Sequence, residues 1–321
     1  MFSIIIPLYN KAKYIEKAIY SVVNQSFKDF ELIIVNDGSF DGGELIVSGL
    51  LKKYDNKDYR LVNQLNQGVS LARNNGVKFA KFEYVVFLDA DDWWEPTFLE
   101  EMKVLIDKYP QARIFGCGFY KIRNGNKIVA NIGVEEGFKD GLINYCKVYS
   151  KTLWMPLTSI STIIKKDVFI SEEGFKPRLK LGEDFDLWIR IAMKYPVAFL
   201  NKPLANYNQD VELENRAVGG RLYNADEHML FSDYSIWENN ADFVFLFERL
   251  AVYSLLPYYL RNKNTEQVDK ILGLIHWNNH TFKYRLYYRI LPKSLLRAWM
   301  FLLKIGSVIK KIFLKRCLFI I

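Results

Sequence analysis

Near the start of the chain, FSIII (Phe2 to Ile6), the LIIV of ELIIV (Glu31 to Val35) and YVVFL (Tyr84 to Leu88) run apolar with almost no alternation. A strand with one face in water alternates polar and apolar residues, so unbroken runs of this kind must be covered on both faces. The segments between them have helical spacing. Lys13 to Gln25 sets Ile15, Ala18, Ile19, Val22 and Val23 on one side, and Leu45 to Tyr54 and Val69 to Ala80 read as further helices. Tyr59 to Asn63 reads as another strand. Buried strands alternating with helices predict an α/β fold with a parallel sheet between two helical layers.

Such sheets bind ligands just beyond the carboxyl ends of their strands. Polar and glycine-bearing segments stand at those ends: PLYN, NDGS, NQG and DADD, in strand order. The last crowds Asp89, Asp91 and Asp92 together. Two carboxylates about 4 Å apart at a partly buried site repel by roughly 4 kcal/mol. A positive partner is therefore required. A helix cap ahead of WWEP accounts for one of these aspartates and not for three.

Five stretches, IIIPLYNK, IIVNDGSFDG, NQGVSLARNNG, YVVFLDADDWW and GEDFDLWIR, together resemble the family 2 glycosyltransferases of the GT-A fold. The resemblance covers roughly residues 1–210. It implies a Rossmann-like, mostly parallel central sheet flanked by helices, and a nucleotide-diphosphate sugar as donor, with UDP the expected nucleotide. Pro7, Tyr9, Asp37, Gly38, Ser39, Gly68 and Arg73 would hold the nucleotide sugar. Asp37 is placed to accept from a base N–H, and Arg73 to meet a phosphate or brace the aspartates. Asp91 would ligate Mn2+ or Mg2+, hard oxygen to hard cation. Asp89 would meet the ribose or share the metal, and Asp92 and Trp93 would shape the loop or touch the acceptor. In GEDFDLWIR, Asp184 would be the general base that deprotonates the acceptor hydroxyl, with Glu183 supporting it. Asp186, two residues on, is expected at a cap or on the exposed face. The implied reaction inverts the anomeric centre.

Composition narrows the partners. The formal net charge is +8, yet residues 1–220 carry 29 basic and 28 acidic side chains and residues 281–321 carry 10 basic and none acidic. The body is near neutral, which argues against a nucleic-acid groove. Three separated cysteines without a CxxC pair argue against a disulfide framework or zinc site, and with the lack of a basic leader they lead to the expectation of a cytoplasmic protein. HWNNH sets His276 and His280 four apart, but without the glutamate of a zinc hydrolase it reads as two polar helix residues. Over 293–316, at about 100° per residue, Lys293, Arg297, Lys304, Lys311 and Lys315 share a narrow arc on an otherwise apolar helix. Such a helix fits an anionic membrane surface, here through 293–321, the alternative being a helix packed on the catalytic domain with its basic stripe facing water.

The expected organisation is a catalytic domain over 1–220, with a nucleotide half over about 1–110 and an acceptor half over about 111–220. A helical region over 221–321 follows, broken at Pro257 and Pro292. The expected function is an inverting glycosyltransferase of cell-surface polysaccharide synthesis in a bacterium, peripheral on the inner face of the plasma membrane, acting on a glycan or lipid-linked acceptor. The alternatives are a sugar-phosphate nucleotidyltransferase, which would want a glycine- and basic-rich loop where this chain has PLYNKAK, or a non-catalytic nucleotide- or membrane-binding module.

Overall fold

The computed structural model describes residues 1–211 and 222–302. Two compact units make up the chain, Met1–Leu246 and Phe247–Ile321.

In the first unit the alternating pattern becomes β1 (Phe2–Leu8), α1 (Ala12–Val23), β2 (Phe30–Asp37), α2 (Gly43–Tyr54), β3 (Tyr59–Gln64), α3 (Val69–Lys78) and β4 (Tyr84–Phe87). Every residue of β1 and β2 is buried, as strands covered on both faces must be. Strands β3, β2, β1 and β4 lie side by side and parallel, with Ile4 opposite both Leu32 and Val86. Their carboxyl ends therefore open on one edge. Helix α3 lies hard against this layer: a Cβ on Gly76 would stand 2.5 Å from Ile5 Cγ2. That close approach fixes the helix carrying Arg73.

Beyond β4 the sheet is mixed. It continues through β9 (Thr162–Lys165), β6 (Ile114–Arg123), β10 (Val197–Asn208) and the two-residue β5 (Trp93–Trp94). Strand β9 runs antiparallel to both β4 and β6, whereas β6 and β10 are parallel to each other. Short strands β7 (Asn126–Val129) and β8 (Asp140–Ile143) pair with β6 and β10. Helices α4 (Phe98–Lys108), α5 (Tyr145–Thr152), α6 (Lys166–Ser171) and α7 (Glu183–Ala192) complete the unit. The Trp93–Trp94 segment is thus a strand, and the next helix begins only at Phe98. The acidic run before it caps nothing.

The first unit extends past the boundary expected at 220. Residues after the undescribed 212–221 segment return to α7: Leu181 bridges His228, and Tyr234 OH lies 3.4 Å from Asp186 Oδ1. Asp186 itself corrects an expectation. It is fully buried and takes Lys176 Nζ at 2.8 Å and Arg190 Nε at 2.9 Å, so it is an internal tie and not an exposed or capping residue.

The second unit holds the rest of α8 (Ala241–Ser254), then α9 (Leu256–Arg261), with Pro257 in its first turn, α10 (Thr265–Leu274) and α11 (Phe282–Arg285). His276 and His280 flank a single 3-10 turn, Trp277–Asn279, and do not ride one helix face. Both bind the buried Glu248, His276 Nδ1 at 2.6 Å and His280 Nε2 at 2.8 Å. They staple this unit instead of standing as free polar residues. Of the basic tail over 293–316, the part from 303 onward lies outside the described residues.

Candidate active site

Each strand end contributes a loop, and the loops grip one another. Asp37, at the tip of β2, accepts from Gln64 Nε2 and the Gln67 amide, both at 2.8 Å, and from the Gly68 amide at 2.9 Å. It therefore fixes the loop between β3 and α3. Gly38 adopts φ +73°, and a Cβ there would stand 3.0 Å from the Asn66 amide nitrogen. Only glycine turns tightly enough beside that loop. The Ser39 amide donates to Asn36 Oδ1 at 3.0 Å, and the Ser39 hydroxyl accepts from the Asn10 amide at 3.2 Å. Pro7 is buried in β1 opposite Val35. Tyr9 is exposed, edge-on to Phe40 at 6.3 Å between centroids.

The aspartates at the end of β4 have three separate fates. Asp89 accepts from Arg73 Nη2 at 2.6 Å and from Ser159 Oγ at 3.1 Å. Asp91 pairs with Lys11 Nζ at 2.6 Å. Asp92 is buried, and its Oδ1 accepts the Asn208 amide at 2.7 Å from the end of β10. Burial pushes the Asp92 carboxyl well above the usual range, with Asp91 and Asp89 adding to the rise. Burial likewise raises Asp91, against the pull of Lys11. Trp93 follows at once, with Lys17 Nζ 2.9 Å from its ring centroid.

Arg73 joins this cluster to the start of α7. Its Nη1 lies 3.2 Å from Glu183 Oε1 while Nη2 holds Asp89, and only 4% of its side chain is exposed. Burial alone would lower its pKa, but Asp89 and Glu183 outweigh that and raise it, so the guanidinium stays charged. Asp184 beside Glu183 is raised to about 7, by burial first and then by the Glu183 charge, with Arg73 pulling the other way. The turn into α7 needs Gly182, at φ +79°. Asp184 also raises the buried phenols of Tyr145 and Tyr149 on α5, after burial itself.

A carboxylate poised near neutral pH can exchange a proton with a hydroxyl. A second carboxylate, on Asp91, can lie against a hard cation. Among the described residues no group of three or more His, Cys, Asp or Glu is arranged to hold a metal alone. That suits Mg2+ or Mn2+, which take one or two carboxylates and complete their shell with phosphate and water. The donor set is compatible with such an ion: both Asp89 oxygens already carry bonds, whereas Asp91 takes Lys11 through Oδ2.

Sequence reasoning had not singled out Lys11, Ser159 or Asn208. Lys11 was legible as the basic residue in PLYNK. Ser159 and Asn208 carry no motif and reach the site only through β9 and β10, whose ends they adjoin.

A profile of glycosyl transferase family 2 matches residues 3–155. The amylovoran biosynthesis glycosyltransferase AmsB of Erwinia amylovora is 30% identical over 221 residues, which span 64% of this chain and 69% of that protein. The chain belongs to glycosyl transferase family 2. Members of this family differ widely in length, and the chain spans about a third of the length of several curated relatives that it matches. The S. aureus TarS fragment 1–349, solved in complex with UDP-GlcNAc, superposes with a TM-score of 0.66 at 19% identity, covering 92% of this chain and 83% of that one. The mannosyltransferase PcManGT of Pyrobaculum calidifontis, solved with GDP-Man and Mn2+, gives 0.52 at 18% identity over 95% and 80%. The fold this family 2 chain shares with them is GT-A.

Proposed function

We propose that the chain is an inverting, metal-dependent glycosyltransferase that moves a sugar from a nucleoside diphosphate, UDP in the first instance, to a hydroxyl of a glycan or lipid-linked acceptor in bacterial cell-surface polysaccharide synthesis. The observation that carries this reading is the double contact of Arg73, which spans Asp89 at the fourth strand's tip and Glu183 beside Asp184. A donor-side carboxylate and a base-side carboxylate thus share one rigid cation. The TarS and PcManGT complexes, with UDP-GlcNAc and GDP-Man, support a nucleotide-sugar donor on this fold.

In this reading Asp37, Gly38, Ser39 and Gly68 form the cradle for the nucleotide, with Pro7 and Tyr9 beside it. Asp89 receives the ribose. When bound on Asp91, Mg2+ or Mn2+ supplies positive charge to the departing diphosphate, so no side chain need protonate it. Asp184 takes the acceptor proton, and its raised pKa matches that work near neutral pH. Arg73 orients Glu183 beside that base through its 3.2 Å contact. One base and one displacement give inversion. Asp92 and Trp93 shape the acceptor side of the loop.

We further infer attachment to an anionic membrane surface through 293–321. Support comes from the 10 basic and no acidic side chains over 281–321 and from the exposed Leu295, Trp299, Phe301 and Leu302. Among the described residues no helix is long and apolar enough to cross a membrane. Removing 303–321 spares the buried Leu296 and should shift the protein from the membrane to the supernatant fraction. Unchanged membrane association would remove this part of the reading.

The catalytic reading is tested with a panel of nucleotide sugars, scored for release of nucleoside diphosphate with and without Mn2+ or Mg2+. Release from one donor that depends on the metal is expected. No release from any donor under either condition would overturn it.

A further inference from the structure

A cation stands at the nucleotide cradle that the donor reading does not use. Lys180 Nζ lies 3.7 Å from the position a Cβ on Gly68 would take. Gly68 adopts φ +90° and has no side chain, so nothing of its own separates the ammonium from the loop. Lys180 is exposed. Among the described residues its one hydrogen bond is a long one, 3.5 Å to the Pro177 carbonyl, and no carboxylate forms an ion pair with it.

The main chain holds Lys180 in this place. Its amide donates to the Glu227 carbonyl at 2.7 Å and the Leu181 amide to the same oxygen at 3.2 Å, while the Met229 amide returns to the Leu181 carbonyl at 3.1 Å. Met229 also packs hard on the next residue, since a Cβ on Gly182 would stand 2.2 Å from its Cγ. Residues 227–229, beyond the domain boundary expected from the sequence, thus fix the backbone from which Lys180 reaches the loop.

Asp37 decides what the ammonium can meet. Its Oδ1 takes both Gln64 Nε2 and the Gln67 amide, whereas its Oδ2 takes the Gly68 amide alone. A carboxylate oxygen has room for two donors, so one acceptor position remains on Oδ2, next to Gly68. An acceptor and a donor therefore stand side by side. They match the imide edge of uracil, where the N3–H adjoins the O4 carbonyl. Cytosine in the same pose turns a bare N3 to the carboxylate and an amino group to the ammonium, and mismatches both. A phosphate fits less well, because the Asp37 charge would repel it. The metal-holding Asp91 also follows β4, and β1 lies between β2 and β4. At the ordinary strand spacing the ends of β2 and β4 are roughly 10 Å apart, which a nucleoside diphosphate spans from base to phosphate.

We propose that Lys180 selects the base of the donor, its ammonium donating to uracil O4 while Asp37 accepts the neighbouring N3–H. This deepens the nucleotide-sugar reading and rests on it.

Calorimetric titration of the full chain with UDP and with CDP, each in Mn2+, measures the selection. Wild type should prefer UDP at least about tenfold. Lys180→Met should weaken UDP about tenfold, the worth of one charged hydrogen bond, and leave CDP unchanged. Lys180→Arg, which keeps a donor, should retain the preference. The side chain is exposed, so urea unfolding of both variants should match wild type. Equal weakening of UDP and CDP in Lys180→Met would assign the ammonium to a phosphate and overturn the base contact, as would an undiminished UDP affinity. A wild type that binds neither nucleotide would overturn the donor reading and the base contact together, whereas UDP binding with an unchanged preference in Lys180→Met overturns the base contact alone.

Discussion

Arg73 holds Asp89 at 2.6 Å through one guanidinium nitrogen while the other nitrogen reaches Glu183 at 3.2 Å. This spans two elements far apart in sequence with a planar fork that lysine does not possess. Arg73→Lys is therefore expected to keep one contact and lose the other, lowering kcat/KM by at least about tenfold, the weight of one charged hydrogen bond. Steady-state kinetics with the donor found in the panel would check this. Arg73→Met should cost about 2–3 kcal/mol of stability, the weight of charged hydrogen bonds lost from two half-buried carboxylates, and urea unfolding reads that loss.

As the proposed base, Asp184 should set the pH profile. With its pKa raised to about 7, mainly by burial, the carboxylate needed as base is scarce below that pH and complete above it. The rate of transfer at saturating substrates should climb through pH 7 to a plateau. Stability runs the opposite way. Folding raises the carboxyl pKa from 3.8 to about 7, so the folded chain keeps a proton that the unfolded chain has released. The contribution of this group is favourable below pH 4 and declines as pH rises to 7. Asp184→Asn should flatten that slope, so its thermal midpoint gains on wild type more at pH 8 than at pH 5.

Lys11 occupies one side of Asp91 at 2.6 Å, with about a sixth of either side chain exposed. An arriving divalent cation must share that carboxylate with it. Lys11→Met removes the competition and should lower the Mn2+ concentration for half-maximal UDP binding about fivefold, in line with roughly 1 kcal/mol for a pair of this exposure. Calorimetric titration of Mn2+ in the presence of UDP measures it.

The nucleotide half of the fold was legible because its information is local. Apolar runs in β1, β2 and β4, helical spacing in α1 and α3, and turn residues such as Gly38 each act within a few positions. The far half was not. Antiparallel β9 between two parallel blocks, the two-residue β5 and the long β10 depend on pairings across a hundred residues, which no short pattern encodes. The same divide runs through the site. Asp89, Asp91 and Arg73 stood out by motif, whereas Asn208 and Ser159 reach the aspartates only once the sheet has formed. Asp186 was misread for the same reason: helical phase placed it away from Asp184, but nothing in the sequence revealed that Lys176, Arg190 and Tyr234 would close over it.

That buried tie makes its own forecast. Asp186→Ala leaves Arg190 and Lys176 without their shared carboxylate. A loss of about 3 kcal/mol or more is expected from breaking a buried ion pair on one side. Denaturant unfolding of the purified variant gives the value directly.

The most direct test of the account compares Asp91→Asn and Asp184→Asn with wild type for both metal-dependent donor binding and sugar transfer. Asp91→Asn should bind the donor and metal weakly. Asp184→Asn should bind the donor as wild type does and transfer no sugar. Full transfer by Asp184→Asn would contradict the central claim that this carboxylate, joined through Arg73 to the donor-side aspartates, is the base.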